Sequence, residues 1–490
     1  MNLMNKIIDA NEFIRRNKEK LNQRYRLKYH LMGEYGWIND PNGFIQFKDN
    51  YHLFYQHYPY DAVWGPVHWG HAVSKDLVKW TYLPVALAPD RDYDRDGCFS
   101  GSAIEKDGKL YLFYTGNIYT EKDKNNNYKQ VQNMAISEDG VVFEKYGKNP
   151  IIDVAQIPDD ASKKDFRDPK VFFIDDIYYL IIGSNDTNGH GQVLMYKSHD
   201  LEKWEFVNTL IKGTEETGTG WECPDIVRFD DKDILFVSAQ HMRHNGSYFK
   251  NIHASIYFIG ELNADEGKFA YTDYYLVDYG FDFYAPQTTV DKHGRVIMVA
   301  WMNMWDTDMV TNSLGHNWAG AMSLPREVVK IGEKIYFKPI SEIAKYRKNE
   351  YSLQGIELNG EVNLETNGIC YEIDVEFEPQ NAYEFGVKVF KGKSEETVLS
   401  YNCRERLFSF NRDRSGIGPK GERRAEVELI DGRLRLNIFV DVSSVEVFIN
   451  GGEKVMTGRV YPDSQSVNIS LFSNGLCKVV NFKKWDIGLE

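Results

Sequence analysis

Between residues 40 and 300, short apolar runs and polar turns alternate in a unit that recurs five times. Asp40-Pro41-Asn42-Gly43-Phe44-Ile45 is followed by the turn Lys48-Asp49-Asn50 and the apolar run Tyr51–Tyr55. Ser100–Ile104, Asp168–Phe173, Cys223–Val227 and Ala285–Val290 open four further units, each with an Asp-rich turn and an apolar second run. Each unit reads as a β-hairpin. Aligned on Pro41, Gly101, Pro169, Pro224 and Pro286, the steps are 60, 68, 55 and 62 residues. Steps of that size fit four-stranded blades with long loops, so the pattern predicts a five-bladed β-propeller. Second-half strands are also visible, at Trp69–Ser74 and Val193–Ser198. Both run into the phrase Asp-Leu-x-Lys-Trp, at Asp76–Trp80 and Asp200–Trp204, read as a repeated blade-edge turn with its tryptophan as packing.

The pattern changes at both ends. Ile7, Ala10, Ile14 and Leu21 recur at near-helical spacing, which predicts an amphipathic helix over 5–21 that packs on the domain surface. Near residue 345 the repeat stops at a charged stretch read as a linker. Beyond it the apolar positions alternate in period two, with turn signals at Asp431-Gly432 and Asn450-Gly451. That predicts a β-sandwich. The expected organisation is all-β: a helical extension over 1–25, the propeller over 26–344, a linker over 345–354 and the sandwich over 355–490. The sandwich shows no catalytic cluster and is read as a buttress or as a homodimer contact.

The repeat makes a geometric prediction. Asp40 and Asp168 lie one residue before the alignment proline, and Glu222 two before it. Equivalent positions in a propeller surround one end of the axial channel, so three distant acids should meet in one pocket. Pro41 fixes its own φ and holds Asp40 extended, where a strand is expected to start and before a turn at Asn42-Gly43. Arg167 can pair with Asp168 or with a substrate hydroxyl. Glu222, between Trp221 and Cys223, is the acid expected to stay protonated. One ionised and one protonated carboxyl is the requirement of glycoside hydrolysis with retention, at a separation of about 5–5.5 Å.

Composition narrows the choice. A net charge of 58 − 72 = −14 disfavours nucleic acid and anionic membranes as partners. Aromatics reach 14%, which suits strands and flat sugar-stacking sites. Five scattered cysteines without a CxxC fit reduced thiols, and no apolar run is long enough to span a bilayer. A cytoplasmic protein is expected. Asp92–Gly97 begins like a calcium loop, but its twelfth position is Ala103, so no metal is implied, and no dinucleotide or phosphate-loop fingerprint implies a cofactor.

The segments Trp37–Gly43, Arg167-Asp168-Pro169 and Glu222-Cys223 resemble the three acidic motifs of glycoside hydrolase family 32, the β-fructofuranosidases. Trp64-Gly65, Phe99–Ala103, Phe283–Gln287 and Ala300–Asn303 are similar to further family segments, and Ile38 stands where many members carry Met. The resemblance implies that Asp40 is the nucleophile, Glu222 the acid/base and Asp168 the stabiliser of the transition state. It further implies substrate contacts from Asn39, Gln56, Trp64, Phe99, Ser100, Arg167, Cys223, Tyr284 and Trp301. The substrate would be a small fructoside: sucrose, sucrose 6-phosphate or short fructo-oligosaccharides. A fructosyltransferase and a non-catalytic fructoside-binding propeller are the competing readings. A phosphorylated sugar needs cations, for which Arg243, His241, His316 and Arg326 are candidates.

Overall fold

The computed structural model describes residues 5–121, 127–243 and 251–489. All five predicted hairpins form, and each belongs to its own sheet. Their first strands are Gly36–Phe47, Cys98–Lys106, Ala161–Ile174, Gly220–Arg228 and Tyr284–Val290. Neighbouring first strands pack side by side around one axis, and the fifth returns against the first, so the chain is a five-bladed β-propeller. The ring is clasped by a short strand, Trp318–Ala319, which pairs in parallel with Gly36 and Trp37. Side chains buried between blades supply the cohesion. Trp69, Trp221, Trp301 and Trp318 are almost wholly buried, at roughly 2–3 kcal/mol each.

The two Asp-Leu-x-Lys-Trp phrases fold identically. Asp76 Oδ1 accepts from the N–H groups of Val78 and Lys79, and Asp200 Oδ1 from those of Glu202 and Lys203. Each tryptophan donates to the leucine carbonyl three residues back, at 3.2 and 2.9 Å. Both leucines are left-handed, with φ of 65° and 73°. A third copy at Ser137–Val142 uses Gly140 at that position and lacks the tryptophan, so the wording hides it.

The N-terminal helix runs Asn5–Asn17, and Lys18–Lys20 form a 3₁₀ turn. Ala10 and Ile14 pack on Tyr35 and Val85 of the propeller surface. Residues 1–4 of the expected extension lie outside the described residues.

The stretch 345–354 is not a linker. A 3₁₀ turn at Ser341–Tyr346 leads straight into a 21-residue strand, Arg347–Asn367. Its charges are the solvated face of an outer strand, while Tyr351, Leu353 and Ile356 on the other face pack on the sandwich core. It pairs with Asn468–Ile487, which bonds Glu384–Lys391 in one layer and Cys370–Pro379 in the other. Two long strands thus tie the layers of the C-terminal β-sandwich together. The Asp431-Gly432 turn exists, but the strand before it, Glu422–Glu426, pairs with Leu407–Arg414. The turn therefore connects layers instead of closing the expected hairpin.

Propeller and sandwich are locked by buried charge. His30, in the segment entering the first blade, binds Asp441 at 2.8 Å and Glu446 at 3.0 Å, both from the sandwich. Arg326 of the fifth blade reaches Glu446 at 2.8 Å and Asp278 at 2.9 Å. Burial alone would lower the His30 pKa, but its two carboxylate bonds outweigh burial and raise it to about 9. Against burial, which alone would raise it, the bonds from His30 and Arg326 hold Glu446 down to about 2. A histidine raised in the folded state stabilises fully below its unfolded value near 6.5, and that stability is lost as pH rises through the folded value. Unfolding midpoints are therefore expected to drop between pH 7 and pH 9.5. His30→Ala should cost about 3 kcal/mol at pH 7 and flatten that drop; an equal slope in both proteins would remove His30 from the account.

Candidate active site

Four of the five first strands carry a proline at the same phase: Pro41, Pro169, Pro224 and Pro286. Proline has no N–H for the ladder, so pairing slips there. Register shifts fall between Ile38 and Pro41, opposite Asp168-Pro169, between Glu222 and Asp225, and between Tyr284 and Gln287. In the second blade the shift falls between Phe99 and Gly101, where Gly101 allows a close approach: a Cβ there would lie 1.9 Å from the carbonyl of Phe113. Asp168, Cys223 and Ala285 are left-handed, at φ 65°, 47° and 53°. A bulge re-aims a side chain. These bulges turn an acid or its neighbour toward the axis in the first, third and fourth blades. Asp40 is consequently held inside its strand at a bulge, not at a strand start, and Asn42-Gly43 continues that strand instead of turning.

The acids meet in a cavity of about 420 Å³ at one end of the axis, lined by Asp40, Asp168 and Glu222. Asp40 Oδ2 accepts from Ser100 Oγ at 2.6 Å, and Oδ1 from Asn39 Nδ2 at 3.1 Å. Gln56 closes a ring, donating to Ser100 Oγ at 2.5 Å and accepting from Asn39 at 3.2 Å. Trp37 Nε1 fixes the Asn39 amide at 2.8 Å. The Cys223 thiol lies 3.6 Å from Asp40 Oδ2 and 3.5 Å from Asp168 Oδ2, so one sulfur bridges two of the acids. The Cys223 N–H also donates to Asp168 Oδ2 at 2.9 Å.

Glu222 accepts on both oxygens, from Arg167 Nε at 3.2 Å and from the Tyr284 hydroxyl at 2.7 Å. Arg167 hydrogen-bonds Glu222 and Asp165, not Asp168, so the expected Arg167–Asp168 pair does not form. Burial, with the charge of Glu222, pushes Asp40 up to about 6 despite bonds from Ser100, Asn39 and Cys223. Burial and Glu222 likewise raise Asp168, against the opposing charge of Arg167. Burial, with the surrounding carboxylates, raises the Cys223 thiol and the Tyr284 phenol, so both stay protonated donors.

The remaining sequence-predicted residues divide. Asn39, Gln56, Trp64, Phe99 and Arg167 line the cavity. Trp64 is 39% exposed and meets Phe99 edge-on at 5.8 Å, so it is an open wall and not core packing. Ser100, Cys223 and Tyr284 stand behind the wall and reach it through the acids they bind. Trp301 does not line the cavity. It is buried against Trp37 and Trp305, and Trp305 is the indole at the wall. Asn117, Tyr119, Tyr128 and Gln130 of the second blade, with Gln240 and His253 of the fourth, also line it and escaped the sequence reading. They carry no phase marker comparable to the prolines. Of the four cations considered for a phosphate, His241 is at the wall, while exposed Arg243 pairs with Glu215. Arg326 and His316 are buried elsewhere, Arg326 at the sandwich interface and His316 beside Tyr25 and Trp318.

Two buried carboxyls and a partly buried third from separate blades, one guanidinium and an aromatic wall define a glycosidase-type centre on a five-bladed propeller. The chain belongs to glycoside hydrolase family 32. The family's N-terminal domain matches residues 30–339, and its C-terminal domain matches residues 342–486. It is 36% identical to a sucrose-6-phosphate hydrolase of Zymomonas mobilis over 488 residues, covering 96% of this chain and 94% of that one. A raffinose invertase of Escherichia coli is 38% identical, with 91% of each covered. Among solved structures, a mutant of the Bombyx mori family 32 β-fructofuranosidase BmSUC1 in complex with sucrose is similar at a TM-score of 0.85 and 34% identity, with 97% of each chain covered. No described helix is long and apolar enough to cross a membrane.

Proposed function

We propose that this β-fructofuranosidase cleaves the terminal β-D-fructofuranoside of sucrose or sucrose 6-phosphate with net retention. The observation that carries the reading is the convergence of Asp40, Asp168 and Glu222 on one cavity. In the first step the Asp40 carboxylate attacks the anomeric carbon of the fructosyl ring. The bond to the leaving oxygen breaks as Glu222 gives that oxygen its proton. In the second step Glu222 takes a proton from water, the hydroxide adds to the same carbon, and Asp40 departs. Asp168 accepts from fructose hydroxyls and stabilises the oxocarbenium-like charge. Asn39 and Gln56 bind the ring hydroxyls, and Trp64 and Phe99 form the apolar wall. The chemistry needs Asp40 ionised and Glu222 protonated. Burial raises the proton affinity of Asp40 and Asp168, and substrate hydroxyls that donate to them favour their carboxylate forms.

Glucose release from sucrose tests this reading. Turnover is expected, and binding without release would favour the non-catalytic alternative. Tyr284→Phe removes one of the two donors that orient Glu222. A loss of roughly 10- to 100-fold in kcat with little change in KM is expected; an unchanged kcat would exclude the role. An intracellular location is also part of this reading, supported by five free cysteines. So is a homodimer through the sandwich, which light scattering decides.

A further inference from the structure

We propose that Arg423, a residue of the sandwich, recognises a phosphomonoester on the leaving sugar, so that a 6-phosphorylated sucrose is the preferred substrate. The inference rests on the cavity being a fructoside hydrolase. Glu222 protonates the leaving oxygen, so the leaving sugar lies on its side of the cavity. That side is walled by His253, which meets Tyr284 edge-on at 6.2 Å and His241 at 4.9 Å. Two residues before His253, Asn251 Oδ1 accepts from Arg423 Nε at 2.7 Å. Asn251 is itself anchored, donating to the Gly280 carbonyl at 2.9 Å.

The Arg423 guanidinium is held in place. It lies over the Phe281 ring at 4.5 Å, and Arg412 lies over the same ring at 3.8 Å. Its Nη1 donates to the backbone carbonyl of Glu422 at 3.2 Å. Among the described residues it makes no ion pair, whereas Arg412 pairs with Asp282 at 2.7 Å. Asp306, which follows Trp305 of the cavity wall, acts on His253 and, after Asp282, on Arg423. Arg423, a fixed and half-buried cation, is thus tied through Asn251 to the segment that carries His253 to the cavity wall. With Nε and Nη1 already engaged and the stem oriented, the guanidinium presents Nη2 to an oxyanion at small entropic cost. The chain as a whole is acidic, at −14, and so offers no general attraction for phosphate. Arg243 is less suited, since it is exposed and already paired with Glu215.

The test is kcat/KM for sucrose 6-phosphate and for sucrose in the wild type, Arg423→Gln and Arg423→Lys, with inhibition by glucose 6-phosphate as a second readout. The wild type is expected to favour the phosphorylated sugar. In Arg423→Gln the ratio of the two kcat/KM values should fall roughly 10- to 100-fold, and glucose 6-phosphate should inhibit more weakly. Arg423→Lys should recover part of the ratio. An unchanged ratio, or a parallel loss on both sugars, overturns the proposal and leaves the fructosidase reading standing. Failure of the wild type to act on either sugar overturns that reading instead.

Discussion

Asp40→Asn is expected to abolish turnover, by at least about 10⁴-fold in kcat, while making the protein more stable at neutral pH. The two effects share one cause. Burial raises the Asp40 carboxyl from its ordinary 3.8 to about 6, so the folded state holds this proton more tightly than the unfolded chain does. Stability linked to the group is present at low pH and is lost as pH rises from 3.8 through 6. Above about 6 the ionised, buried carboxylate costs the fold roughly 2–3 kcal/mol. An amide of the same shape carries no such charge. Urea unfolding at pH 7.5 and pH 4 checks the sign: the variant should gain at the higher pH and show little difference at the lower. Near-normal turnover, or a variant less stable at pH 7.5, would contradict the role given to Asp40. For the wild type, kcat/KM should decline as pH falls below about 6, because the nucleophile then takes up a proton.

Glu222→Gln should lower kcat/KM for sucrose by roughly 10²- to 10⁴-fold, with the loss depending on the leaving group. Sucrose needs a proton on its departing oxygen, and glutamine has none to give. A donor such as β-D-fructofuranosyl fluoride departs without that help, so its fructosylation step should be far less impaired. Deglycosylation still needs a base, and azide, which attacks without one, should restore turnover and yield a fructosyl azide. Equal losses on sucrose and the fluoride would show that Glu222 is not the proton donor. The hydrogen bonds from Arg167 and Tyr284 make this test informative, because glutamine can accept from both and keep the side chain in place.

The propeller was legible in the sequence because each blade announces itself locally. A hairpin needs an apolar run, a turn and a second run, and all of these are contiguous. The prolines at 41, 169 and 224 marked the acids because a residue without an N–H interrupts a ladder at a definite phase. What the proline does to the strand was not legible: the Asn42-Gly43 pair reads as a turn, yet continuous pairing with the neighbouring strand absorbs it as a bulge. The charged run near residue 350 failed for a related reason. An outer strand with one solvated face looks like a linker until its partner, more than a hundred residues away, is known. The partner of Arg167 is likewise a contact between blades, 55 residues apart, which no local pattern encodes. Trp301 entered only through the resemblance; it is buried, and the partly buried Trp305 beside it lines the cavity, a side-chain placement that no local pattern encodes. Arg423 lies in the sandwich, where nothing in the repeat points.

In the proposed mechanism a fructosyl group passes from the leaving sugar to Asp40 and then to an acceptor on the vacated face. Hydrolysis in the presence of methanol reads this directly, because a methyl fructofuranoside, unlike free fructose, does not change its anomeric form in solution. Two displacements should give methyl β-D-fructofuranoside as the methanolysis product, identified by NMR. The α anomer would mean a single displacement and would contradict the assignment of Asp40 and Glu222.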